Sequence, residues 1–318
     1  MREPAPILKE NIENIGGKLK IIPAGLLPRV ENAWLECMAQ LGKTSMYRRM
    51  LHDYFDFSLD PNIKSLVIIA LPSPPLYVDI AWESQTLKAV VPPAYLYRDR
   101  QLSVIKSIVS RVFEEYGLHS YPVVLPKKML AAISGFGQYG RNNILYIPGL
   151  GSCHRLTVFA SDMAADKTAM QENIVMNRCA ACGICARKCP TGAIGRNGGI
   201  INADRCLTYH NEMGDSLPEW LQSGWHNSLV GCTRCQEFCP ENRGLWNSKK
   251  AASFSVEDTQ AVMENAAFDT LNAGLRTQLK DLCLDRYYGV LSRNIRLLLH
   301  ADQNKPEHQH DTPVIHSI

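Results

Sequence analysis

"CAACGICARKCPTGAI" (179–194) and "GCTRCQEFCPEN" (231–242) decide how this chain is read. The first places Cys179, Cys182, Cys185 and Cys189 in a C-x2-C-x2-C-x3-C run with Pro190 behind it. That spacing has a geometric cause. Three thiolates within seven residues wrap three corners of one cubane, and the fourth points away to a second cluster. The second stretch gives Cys232, Cys235 and Cys239 before Pro240, the same run without its first cysteine. One cysteine, Cys206, lies between the groups and closes the count at eight. Cluster one then takes Cys179, Cys182, Cys185 and, crossing back, Cys239. Cluster two takes Cys206, Cys232, Cys235 and, crossing over, Cys189. The expected cofactors are two [4Fe-4S] clusters. Zinc is the rival, since Cys179-x2-Cys182 with Cys232-x2-Cys235 has the form of a ribbon site. It would leave four cysteines and both Cys-Pro pairs without a role.

Outside this segment the chain has ordinary globular character. It holds 318 residues, 46% hydrophobic and 20% charged, with a net charge of +3. Such a chain buries a core without disulfides, and its charge excludes no partner class but favours none. Eleven cysteines, an odd number clustered in one segment, argue against a disulfide framework and for metal. Cys37, Cys153 and Cys283 read as small buried hydrophobes. The first residues lack the apolar run of a signal peptide, and no stretch approaches 18 apolar residues. The expectation is a cytoplasmic protein with no membrane contact.

Upstream, "SLVIIALPSPP" (65–75) reads as a buried strand stopped by prolines. "QLSVIKSIVSRVFEEYG" (101–117) reads as an amphipathic helix with Gly117 at its C-cap. "RLTVFASD" (155–162) reads as another strand. After the cysteines, Ser255 and Asp258 have capping-box spacing, and Leu275, Leu279 and Leu282 mark a further helix. The tail from 301 reads as solvated, its His308 and His310 included. The basic run 43–50 reads as a solvated helix face. The expected domains are 1–173, an α/β unit; 174–248, a ferredoxin-like module; 249–300, helices; and 301–318, a tail.

"GFGQYGRNN" carries Gly135, Gly137 and Gly140, formally G-x-G-x-x-G. A dinucleotide site needs a strand before it and a helix after it. Here a helix, "KKMLAAIS", precedes and a strand, "NILYIP", follows, so the order is reversed.

The glycine segment paired with the eight-cysteine module resembles the epoxyqueuosine reductase family, whose members carry a similar G-x-G-x-x-G-[KR]-[NH] stretch. The resemblance covers roughly residues 60–245 and is most specific in the cysteines. It implies an α+β fold: a nitroreductase-like α/β corrinoid-binding domain, a ferredoxin-like double-cluster module and a short C-terminal helical segment, related to reductive dehalogenases. It implies a bound cobalamin, fed by the clusters, with Gly137, Gly140, Arg141 and Asn142 lining its pocket. The implied donor is a ferredoxin or flavodoxin. The chain departs from the family in two places. The family's proton-donating aspartate falls near Tyr121, and residues 118–134 hold no acid at all. Tyr121 is therefore the candidate general acid, with His119, Lys127 and Lys128 as others. The helical extension that helps hold tRNA is short, and residues 241–300 carry eight Lys/Arg against seven Asp/Glu. That balance is no footprint for a phosphate backbone. The expectation is a cobalamin-dependent iron–sulfur reductase of a substrate other than tRNA. Its rivals are an electron carrier, or a reductase of corrinoid proteins without its own cobalamin; a tRNA-acting epoxyqueuosine reductase ranks last.

Overall fold

Ser65–Pro72 (β2) owes its place to an unbroken apolar run. Leu66, Ile68 and Ala70 face one way, Val67, Ile69 and Leu71 the other, and all are buried. A strand buried on both faces needs cover on both. The computed structural model describes residues 3–42, 45, 48, 51, 53–96, 98–165, 171–196 and 199–303, and shows that cover. Most of the basic run 43–50 lies outside the described residues, as do His308 and His310.

In the first sheet β2 is flanked by β1 (Lys18–Pro23) and β8 (His154–Ser161), with β5 (Ser120–Pro122) beyond β8, all antiparallel. On one face Val67, Ile69 and Phe159 pack against Leu8 and Ile12 of α1 (Pro4–Asn14) and Ile105, Val109 and Phe113 of α3 (Arg98–Glu115). On the other, Leu66, Ile68 and Val158 meet Leu27 and Val30 of α2 (Leu27–Gln40) and Leu130 to Ile133 of α4 (Lys127–Ile133). Gly117 takes φ +64° just past α3, the left-handed conformation that ends a helix.

The second sheet has the order β4–β3–β9. β3 (Leu76–Trp82) and β4 (Gln85–Val91) form a hairpin, and β9 (Lys249–Phe254) joins β3 in parallel from beyond the cysteines. Its core runs through Val78, Ile80 and Phe254 into α5 (Val256–Met263), α6 (Ala273–Asp281) and α7 (Tyr288–Gln303). The expected capping box is formed: Ser255 Oγ accepts from Asp258 N, and the Asp258 carboxylate accepts from Ser255 N, both at 3.1 Å.

This core departs from the expected division at residues 173 and 248. Residues 76–96 pack with the C-terminal helices, and Leu229 and Val230 of the cysteine segment join them. Leu229 N donates to Val90 O at 2.9 Å. The segment is thus held from both sides, with the first sheet on one flank and the second core on the other. Cys153 and Cys283 are buried as expected, while Cys37 is half-buried. No helix among the described residues is long and apolar enough to cross a membrane.

Candidate functional site

The first cysteine group is built from two short helical turns, Cys179–Cys182 and Ile184–Lys188, joined at Gly183. Gly183 has φ +63°, a turn that glycine takes at little cost and that swings Cys185 back beside Cys182. Cys189 is extended, its side chain directed out of this turn towards the second group. Cys179, Cys182, Cys185 and Cys239 line a single cavity, with Tyr146 and Met176 among its walls. The remaining four adjoin one another: Cys232 feels the charges of Cys206 and Cys189, and Cys235 those of Cys232 and Cys206. Cys235 also feels Cys185, so the two sets are neighbours.

The backbone around these sulfurs suits anionic ligands. N–H groups of Thr208 and Tyr209, in the first turn after Cys206, point at its thiol, as Arg234 N points at Cys232 and Glu241 N at Cys239. Such donors stabilise thiolate over thiol and help set a cluster's potential. Soft thiolate donors in two groups of four fit iron–sulfur clusters. The sets differ in depth. Burial raises the Cys232 thiol to about 12 and carries Cys235 well above its usual value. Cluster two's ligands therefore lie deep, against the second core, while cluster one's cavity opens beside exposed residues.

The glycine segment is a bracket for this module. Arg141 donates to the carbonyls of Cys179 (2.6 Å) and Ala180 (3.1 Å), and also to that of Arg196. Asn142, only 3% exposed, donates to Tyr146 Oη at 3.0 Å and Cys235 O at 3.1 Å. Asn143 Oδ1 accepts from Ile201 N at 2.7 Å. A Cβ on Gly137 would stand 2.7 Å from Tyr146 O, and one on Gly140 would stand 2.7 Å from Asn142 Oδ1 and the Tyr146 ring. The glycines are needed for close packing against β7 (Leu145–Tyr146), the partner of β6 (Gln138–Tyr139). Gly137, Gly140, Arg141 and Asn142 thus face the cluster module, where the resemblance implied a corrinoid pocket. Their polar groups are already satisfied by protein. A second bracket comes from Asn242, which accepts from Ser152 N and donates to Ser152 Oγ and Gln236 O, each at 2.8 Å.

Tyr121 stands elsewhere. It pairs with Ala160 near the end of β8, roughly 20 Å along the strand from His154. Its hydroxyl accepts from Asp60 N at 3.5 Å, and it shares an open cavity with His119, Asp162 and Lys64. The structure does not bring it to the cysteines. Lys128 is brought there. It keeps solvent access, yet burial lowers its ammonium pKa while the thiols of Cys206 and Cys235 pull it back up. Lys128 thus stands beside the ligands of cluster two. His154 lies near Lys128; burial lowers its imidazole to about 4, so it is neutral, with Nδ1 3.0 Å from Gly151 O. Lys127 shares the first turn of α4 with Lys128. A sequence signal for this position existed: two lysines at a helix N-terminus oppose the helix dipole.

Residues 178–242 match the 4Fe-4S double cluster binding domain, in keeping with the two sets of thiolates. The chain is similar to curated epoxyqueuosine reductases. It is 30% identical over 122 residues to the epoxyqueuosine reductase of Staphylococcus aureus (strain NCTC 8325 / PS 47), covering 38% of this chain and 31% of that one. It is 26% identical over 193 residues to that of Bacillus subtilis (strain 168), covering 58% and 49%. The chain thus spans about a third to a half of the length of these curated relatives. A solved epoxyqueuosine reductase bound to an epoxyqueuosine-modified tRNA-Tyr stem loop shares the fold at TM-score 0.63 and 19% identity, over 93% of this chain and 81% of that one. These findings correct two expectations, that tRNA is an unlikely partner and that a tRNA-acting reductase ranks last. The charge balance of one stretch of sequence does not describe the surface that a fold assembles from distant parts.

Proposed function

We propose that this chain is an epoxyqueuosine reductase, passing electrons through two [4Fe-4S] clusters to reduce an epoxide carried by tRNA. The observation that carries the reading is the sorting of eight cysteines into two adjoining sets of four, with Cys232 and Cys235 of one set the most deeply placed. Two clusters in that arrangement form a directed wire. Cys179, Cys182, Cys185 and Cys239 hold the outer cluster; Cys189, Cys206, Cys232 and Cys235 hold the inner one. Arg141, Asn142 and Asn242 fix the sets relative to each other.

In this reading the wire ends on the side of cluster two beside Lys128, which feels the charges of Cys206 and Cys235, and His154, which feels Lys128. The α/β part is then a nitroreductase-like corrinoid-binding domain, and cobalamin, when bound, supplies a strongly nucleophilic low-potential metal centre. Lys128 would place a cation beside it, and neutral His154 a hydrogen-bonding group.

The test is complementation. The chain is expressed in a bacterium lacking its own epoxyqueuosine reductase, and total tRNA is digested for nucleoside mass spectrometry. The reading predicts queuosine in place of epoxyqueuosine, and epoxyqueuosine retained with a Cys235→Ala variant. Retained epoxyqueuosine with the parent chain, expressed with its iron intact, overturns it.

A further inference from the structure

We infer that the face over cluster one is the docking surface for a small acidic electron-transfer protein. The inference rests on the proposed direction of the wire. Cluster two is deep; cluster one is not. Exposed side chains neighbour the residues that line its cavity, apolar ones among them. Phe238, next to Cys239, is 43% exposed, and Val175, next to cavity-lining Met176, is 44% exposed. Lys188 holds its ammonium 4.5 Å from the centre of the Phe238 ring. Arg187, also exposed, donates to Cys182 O at 3.2 Å.

The surrounding charge leans positive. Residues 173–203 contain Arg178, Arg187, Lys188 and Arg196 and no Asp or Glu. Two acids approach from the second cysteine group. Glu241 is paired with Arg178, and Glu237 lies between Arg234 and Lys188. With Glu172 and Asp204 at the ends of that stretch, five cations stand against four acids, and Glu241 is already paired. An exposed aromatic with a cation against it, next to a cluster ligand, matches a partner whose own centre is ringed by carboxylates. Charge of this kind sets encounter rate and orientation more than affinity. A nucleic-acid phosphate track would call for a stripe of cations along a groove; here a cation lies against an exposed aromatic ring, so a protein partner fits better.

The experiment uses the full iron-loaded chain and fully reduced flavodoxin as probe. Flavodoxin oxidation and cluster bleaching are followed by stopped flow under anaerobic conditions. In the parent chain the second-order rate constant should fall as salt is added. In a Lys188→Glu/Arg196→Glu double variant it should drop about tenfold at low salt. Both side chains are exposed, so the variant should keep its iron content and its reduction by methyl viologen radical. Phe238→Ala should slow the flavodoxin reaction at all salt concentrations. If Phe238→Ala loses iron, the charge variant alone decides. A parent rate indifferent to salt and unchanged by the charge reversal overturns the inference. So does an unchanged flavodoxin rate with weakened tRNA stem-loop binding, which would assign the face to RNA. The readout needs no tRNA substrate, so failure of donor docking and failure of the proposed tRNA activity are separate results.

Discussion

Asn142→Ala tests the bracket between the glycine segment and the clusters. The Asn142 side chain satisfies three groups: Tyr146 Oη at 3.0 Å, Cys235 O at 3.1 Å and Ile144 N at 3.2 Å. The residue is 3% exposed, so water cannot readily replace it. Each orphaned buried group costs about 1–3 kcal/mol. Taking the low end for all three gives a loss of about 3 kcal/mol. For 318 residues, at about 2.1 cal/mol/K of unfolding entropy per residue, that lowers the melting temperature by about 4–5 °C. The loss should fall first on the inner cluster, because the Asn142 hydrogen bond also stabilises the Cys235 thiolate. The assay is anaerobic thermal unfolding of iron-loaded protein at a fixed scan rate, read by circular dichroism and by cluster absorbance. Asn202→Ala, at an exposed site, serves as control and should stay within about 0.5 kcal/mol of the parent. An Asn142→Ala melt matching that control would refute the bracket.

Cys206→Ala should reduce the iron content from about eight to about four per chain, with the remaining cluster visible by electron paramagnetic resonance after reduction; full retention would refute the ligand sets. Gly140→Ala should be poorly soluble or lose iron, since its Cβ would stand 2.7 Å from both Asn142 Oδ1 and the Tyr146 ring; iron analysis of the soluble fraction decides. His226 is buried, and burial lowers its pKa to about 4. A depressed histidine favours the fold above its unfolded value of about 6.5, and that stability is lost as pH falls towards 4. The expected loss is about 3 kcal/mol, read by denaturant unfolding across that window, and His226→Leu should flatten it.

What the sequence disclosed depended on whether the signal was local. β2, α3, β8 and the Ser255 capping box were legible because each is written in a few adjacent residues. The cysteine sets were legible because cubane geometry dictates spacing. The second sheet was not. β9 buries only Ala252 and Phe254 and pairs with a strand more than 160 residues earlier, a contact with no local signature. The bracket was hidden for a related reason: Arg141 and Asn142 bind backbone carbonyls, which every residue carries. Tyr121 was chosen by counting along an ungapped stretch, and strand pairing carried it to the far end of β8. Lys128 was visible only as one of two lysines placed against a helix dipole.

The most direct measurement is anaerobic turnover. Purified chain with both clusters loaded is given reduced flavodoxin, cobalamin and epoxyqueuosine-containing tRNA-Tyr stem loop, and nucleosides are counted by mass spectrometry. The account predicts queuosine formed over many turnovers, abolished by Cys235→Ala. Clusters that are reduced and reoxidised while epoxyqueuosine remains intact would contradict it.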